Sequence, residues 1–232
     1  MVMIYRCTIE LHDNLYYATR EIGRLYETEP ILHNYALCYA LGLVDSDRHS
    51  TTVVEEHSYR YFCPEQIPKY AEHLTPLNQQ GIYVTPARSL NHAAVLNTWK
   101  YANNNYHVEM EKTQKNIPSF GRAKEIAPES QFECFILSDK LLTLPKWIRL
   151  GKWMSKAEVK VEELLPKRSQ GDFTFPYPLN PLDVMFTHQV LSYDTVNMPP
   201  VSLIRNVRMQ GEYYSFEESK LKIPAQMHYR FE

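Results

Sequence analysis

An α+β fold of the ferredoxin-like type, with an inserted hairpin and a β-rich C-terminal extension, is predicted by three features of the sequence. Residues 3–11 alternate apolar and polar side chains, residues 31–39 repeat apolar groups at helical spacing, and QFECFILSD (131–139) carries apolar side chains on both faces.

In the first strand Met3, Tyr5, Cys7, Ile9 and Leu11 alternate with Ile4, Arg6, Thr8, Glu10 and His12, so one face is core and the other mostly polar. HDNLYYATREIGRLYETEP (12–30) reads as a polar loop. Thr28 and Glu29 before Pro30 read as a helix start with proline at the first position, and Gly42 as its stop. Ile31, Leu32, Tyr35, Cys38 and Tyr39 make that helix apolar around most of its circumference, which predicts burial against a sheet. TTVVEEHSYRYF (51–62) and GIYVTPARSL (81–90) read as strands. Trp99 and Tyr101 before Asn103–Asn105, with Tyr106, Val108 and Met110 alternating after them, predict a hairpin over residues 97–112. Pro145 marks a turn or a short helix, Gly151 breaks whatever precedes it, residues 152–156 form a basic loop, and AEVKV (157–161) is a strand. The proline-rich stretch from Leu164 to Pro200 reads as an irregular segment packed over the core through Phe173, Phe175 and Tyr177. Strand patterns return in VSLIRNVRM and GEYYSFE. The expected division is a domain over 1–163 and an extension over 164–232.

A chain of 232 residues with 44% hydrophobic content is large enough for a buried core. No apolar run approaches the ~20 residues of a membrane span, and MVMIYRCTIE reads as a strand, not a signal peptide, so a cytoplasmic protein without membrane contact is expected. Cys7, Cys38, Cys63 and Cys134 lie far apart and read as buried thiols. The nine histidines form neither H-E-x-x-H nor H-x-H, the seven glycines form no phosphate loop, and no serine sits in G-x-S-x-G. No cofactor and no metal are expected.

A net charge of -2 disfavours indiscriminate coating of nucleic acid but permits a local basic surface. PKWIRLGKWMSKAEVKV (145–161) sets Lys146, Arg149, Lys152, Lys156 and Lys160 against Glu158 alone, with Trp147 and Trp153 among them. Arg20 and Arg24 lie in the loop before the first helix, and Arg122 and Lys124 in SFGRAKEI. Cations neutralise phosphates and aromatic faces stack on unpaired bases, so single-stranded RNA suits the set Arg20, Arg24, Arg122, Lys124, Lys146, Arg149, Lys152, Trp153 and Lys156. The same pattern also describes a solvated basic face of a sheet or a surface for an acidic protein partner, and Trp147 suits a core anchor. His12, Tyr16 and Lys152 would be the candidates for metal-independent RNA cleavage, which needs a base near a 2'-hydroxyl and a cation near the phosphate.

HDNLYYATREIGRLYETEPILHNYALCYALG resembles the amino-terminal signature of the Cas-five family subunit, Csc-one, of type I-D CRISPR surveillance complexes (Cascade). SFGRAKEIAPESQFECFIL and LPKWIRLGKWMSKAEVKV look like the same family. The resemblance implies a ferredoxin-like (RRM-like, RAMP) domain with a hairpin thumb and an appended β region. It implies a non-catalytic antiviral subunit that caps the foot of the complex and holds the five-prime handle of the CRISPR RNA. The implied protein partners are a Cas-seven-type backbone subunit and a Cas-ten-type large subunit, with target DNA near the protospacer-adjacent motif as a further contact. Residues 150–157 stand where relatives carry a glycine-rich loop, and only Gly151 is kept. Side-chain contacts from Lys152 and Lys156 are the expected substitute.

Overall fold

The computed structural model describes residues 2–44, 68–100, 120–217 and 219–231. The first half contains β1 (Met3–Leu11), β2 (Arg20–Ile22), β3 (Leu25–Glu27), β4 (Ile31–Leu32), α1 (Asn34–Ala40), α2 (Tyr70–Gln79), β5 (Ile82–Val84), β6 (Ala87–Asn91) and β7 (Ala94–Lys100). There follow β8 (Phe120–Ile126), β9 (Gln131–Ser138), β10 (Trp147–Leu150), β11 (Ser155–Leu164), β12 (Lys167–Phe175), α3 (Pro181–Val184), β13 (Gln189–Val196), β14 (Leu203–Phe216) and β15 (Ser219–Pro224).

The fold is mostly β with few, short helices, so the α+β expectation overstates the helix. The main sheet runs β10-β11-β1-β9-β6-β4, with β5 also on β9 and every pair antiparallel. Its centre is β1, whose Cys7 faces Val161 of β11 and Cys134 of β9. A second sheet runs β12-β14-β13 with β15 beside β14, and a third runs β2-β3-β8-β7. Phe132, Phe135 and Phe175 are fully buried in one continuous core that also takes in Phe173 and Tyr177. Each such aromatic contributes roughly 2–3 kcal/mol of burial. Cys7, Cys38 and Cys134 are buried thiols as expected; Cys63 lies outside the described residues.

Several expectations are corrected. The first helix starts at Asn34, not at Pro30, because Ile31 and Leu32 are taken by pairing with Arg88 and Ala87 of β6. His33 caps it, its Nδ1 accepting from the Tyr35 amide at 3.2 Å, and Gly42 at φ 69° follows its end. The polar loop 12–30 contains the hairpin β2–β3, held by parallel pairing of β3 with β8. Residues 147–150 are a strand, neither turn nor helix, because Ile148 and Leu150 are buried while Trp147 and Arg149 point out. Lys156 stands within β11, which shortens the basic loop to residues 151–154. The proline-rich segment is not irregular: it forms β12, α3 and β13, and Phe173 and Phe175 are the buried positions of β12.

The partner of β7 is β8, in the register Thr98 to Arg122. The tip of the hairpin expected over 97–112, and its second strand from Tyr106, lie outside the described residues. So does TTVVEEHSYRYF.

Candidate nucleic-acid interface

The hairpin β10–β11 alternates strictly. Trp147, Arg149, Lys156 and Glu158 project from one face, while Ile148, Leu150, Ala157 and Val159 are buried on the other. The turn joining the strands holds Gly151 at φ 74° and Met154 at φ 56°. Side-chain room is absent at Gly151: an added Cβ would stand 2.7 Å from the Tyr16 carbonyl oxygen and 2.8 Å from Leu15 Cδ1. The turn is thus pressed against the segment that follows β1.

That segment, residues 12–17, is tied to the hairpin at each step. The His12 amide donates to the Lys156 carbonyl at 2.9 Å, and the Lys156 amide donates to Asp13 Oδ2 at 2.9 Å. Ser155 Oγ donates to the Asn14 carbonyl at 2.5 Å, and the Lys152 amide to the Tyr16 carbonyl at 2.9 Å. The Tyr16 ring stacks on Trp153, with centroids 4.5 Å apart and 26° between planes.

Its other side is joined to the third sheet. Leu15 and Ile126 exchange backbone hydrogen bonds of 2.8 and 3.0 Å, and the Tyr17 amide donates to Thr28 Oγ1 at 3.0 Å. On the same sheet the Arg122 amide donates to the Arg24 carbonyl at 2.9 Å. Register sets Arg20, Glu27, Lys124 and Leu96 in one row and Ile22, Leu25, Arg122 and Thr98 in the next. Ile22 and Leu96 are exposed, so this face mixes cations with uncovered apolar side chains.

All nine basic and aromatic residues singled out from the sequence therefore sit on two elements bridged by residues 12–17. Most cations already have a local partner. Lys124 meets Glu27 at 3.4 Å, Arg20 meets Glu27 at 3.5 Å and also Glu29, and Lys146 meets Glu158 at 3.5 Å. Arg149 meets Asp13 at 3.9 Å and donates to the Met154 carbonyl at 3.1 Å. The cations of these pairs are about half exposed or more, so their charge stays accessible to a phosphate. The Lys152 ammonium makes no ion pair among the described residues.

Trp147 is not a core anchor. It is 42% exposed, lies edge-on to His12 at 5.0 Å, and carries the Lys156 ammonium 4.0 Å from its ring centroid. Trp153 stacks on Tyr16 and is 39% exposed.

The open face of the main sheet has the opposite character. Lys160 lies 3.5 Å from Glu10 and 3.7 Å from Glu158, and Arg6 lies 3.4 Å from Glu133 and 3.0 Å from Glu162. Glu10, Glu133, Glu158 and Glu162 thus hold Arg6, Lys160 and Lys146 in carboxylate pairs on this face. The favourable surface is the edge of this sheet at β10–β11 together with the third sheet.

Sequence reasoning missed the loop between β13 and β14. Met198, Pro199 and Pro200 form a ridge with a groove on each side. A groove of about 730 Å³ is lined by Thr19, Arg20, Glu29, Asn197, Pro200 and Arg205, among others. A slot of about 200 Å³ is lined by Tyr17, His33, Tyr70, Lys152, Met198 and Pro199, among others. His33 fixes the ridge: Nδ1 accepts from Tyr35, so Nε2 carries the proton and donates to the Val201 carbonyl at 3.2 Å. Burial pushes the His33 pKa down to about 4, which keeps the ring neutral, and pushes the Tyr17 hydroxyl up to about 12. The Pro199–Pro200 pair was the available signal, but nothing in the sequence ties it to residues more than a hundred positions earlier.

No cluster of three or more His, Cys, Asp or Glu side chains suited to a metal occurs among the described residues, and no described helix is long and apolar enough to cross a membrane. Among the solved structures similar to this chain are the following two. One is the crystal structure of a CRISPR protein from Archaeoglobus fulgidus, 12% identical, with a TM-score of 0.44 and coverage of 94% of this chain and 97% of that one. The other is the cryo-EM structure of the type III-B Cmr-beta bound to cognate target RNA and AMPPnP, 10% identical, with a TM-score of 0.43 and coverage of 88% and 86%. No curated protein matches the sequence. The model of one protein family matches residues 2–232, nearly the whole chain, and the protein therefore belongs to the type I-D CRISPR-associated Cas5/Csc1 family.

Proposed function

We propose that this chain is a non-catalytic, cytoplasmic CRISPR RNA-binding subunit that holds the five-prime handle and caps the foot of a type I-D surveillance complex. The observation that carries this reading is the bridge of residues 12–17, which brings the basic hairpin β10–β11 and the basic row of the third sheet onto one rigid support. Cations on fixed backbone are suited to a bent single strand, because phosphates are met without ordering a loop. The strand order β11-β1-β9-β6 supports a ferredoxin-like reading of the main sheet, with β7–β8 as the base of the thumb. Backbone and large subunits would then meet the third sheet and the β12–β15 extension, and target DNA near the protospacer-adjacent motif would pass the same foot.

The test is co-purification of the chain with its neighbouring subunits and RNA, comparing wild type with a Lys152→Ala, Lys156→Ala double variant. Retained RNA should fall several-fold in the variant while the protein subunits stay associated. Unchanged RNA content would overturn the assignment, and cleaved repeat RNA that depends on His12 would replace it with a nuclease.

A further inference from the structure

The slot between the hairpin turn and the proline ridge has a composition unlike the rest of the basic surface. Five separate stretches converge on it: Tyr17–Thr19 after β1, Ile31 and His33 before α1 with Ala36 within it, Tyr70 at the start of α2, Lys152 in the hairpin turn, and Met198–Pro200. Its walls are phenol, proline, methionine and alanine, and the one cationic group among them is Lys152, whose ammonium has no ion-pair partner among the described residues. The His33 ring offers no charge, since both of its nitrogens are engaged. The walls are held. Ile31, Met198, Val196 and Leu203 form a small core beneath the ridge, Gly151 is pressed on Tyr16, and Tyr70 packs on Tyr35 with ring centroids 5.0 Å apart.

An apolar slot of about 200 Å³ with a single cation in its wall complements a flat ring that carries an anion. A partner protein's aromatic side chain would fill the slot but leave the ammonium unmatched. A nucleotide satisfies both: its base is sequestered between aromatic and proline side chains, and its phosphate meets the lysine. We infer that the slot seats one unpaired nucleobase of the bound RNA, with Lys152 on the adjoining phosphate. This rests on the RNA-binding reading and goes beyond it. It predicts that one nucleotide is flipped out of the run and withdrawn from solvent.

The experiment uses the co-purified complex and a base-modifying reagent such as dimethyl sulfate, read at each nucleotide. In the wild type one unpaired position should be protected. Ala36→Leu, which fills the slot from α1, should raise reactivity at that position several-fold with total RNA retained. Ultraviolet crosslinking of the unsubstituted complex should also place a base on a peptide containing Tyr17 or Tyr70, which keeps the test open if the variant fails to fold. Bound RNA with no such protected position, or with a crosslink from the slot to a protein neighbour, would overturn the inference and leave the RNA-binding role intact. A complex without RNA would overturn both.

Discussion

The ring of Tyr16 lies 4.5 Å from that of Trp153, nearly parallel, and so joins the strand exit of β1 to the tip of the β10–β11 hairpin. Stacked pairs contribute roughly 0.5–1.5 kcal/mol beyond their buried area. One face of the indole is used by the protein, and 39% of the residue remains exposed. On the RNA-binding reading, stability and binding therefore meet at one side chain and are separable by substitution. Trp153→Ala should lower the melting temperature by a few degrees and reduce RNA retention several-fold. Trp153→Phe, which keeps a ring on Tyr16, should recover most of both. Equal RNA loss in the two variants, measured beside their melting curves, would mean that the indole nitrogen and not the ring face makes the contact.

Gly151 sets how closely the hairpin approaches this segment. Its φ of 74° disfavours any side chain, and a methyl group would meet the Tyr16 carbonyl oxygen at 2.7 Å. Left-handed backbone costs an L-residue about 1–2 kcal/mol before any clash. Gly151→Ala should therefore lose at least about 2 kcal/mol, a fall of roughly 4 °C or more in Tm for a chain of this length. Because Lys152 is anchored to Tyr16 through its amide, the same substitution should weaken RNA binding more than Ala substitution of Lys146, which lies outside the turn. An unchanged Tm would show that the turn can slide off residues 15 and 16.

How much of this was legible in the sequence follows from the range of the contacts. The centre of the sheet was, because β1 and β9 are long enough for alternation or continuous burial to show. The basic and aromatic set was also legible, since residue type alone identifies it. The hairpin β2–β3 was not: three-residue strands carry no period, and the pairing of β3 to β8 spans about a hundred residues. Pro30 was misread for a related reason, because burial of Ile31 and Leu32 on β6 outweighs the local signal for a helix start. Trp147 read as core because tryptophan often is, yet an alternating edge strand with Ile148 and Leu150 inside must turn it outward. The proline ridge and its slot were invisible, since five distant stretches build them.

The ridge and the helices also share a proton balance. Asp183 of α3 is buried, accepting from Tyr83 Oη at 2.8 Å, Asn34 Nδ2 at 3.3 Å and the Arg230 amide at 3.0 Å; the phenol of Tyr35, the Cys38 thiol and the Arg230 guanidinium also face it. Burial raises its pKa from 3.8 to about 7. Asn34 Oδ1 is buried without a partner among the described residues, and a flip of that amide gives a protonated Asp183 an acceptor. The folded state thus binds the Asp183 proton more tightly, so this stabilisation is complete below about 3.8 and is lost as pH rises through about 7. His33 runs the other way: lowered from 6.5 to about 4, it contributes stability above 6.5 that is lost as pH falls through about 4. The two slopes oppose each other across the same interval. Asp183→Asn should make stability rise more steeply with pH between about 4 and 7 than in the wild type, and His33→Gln should make it rise less steeply or fall, as read from urea midpoints at several pH values. Wild type and Asp183→Asn running in parallel would mean that Asp183 holds its proton no more tightly in the folded chain than in the unfolded one, and that α3 and the C-terminal segment are joined without regard to pH.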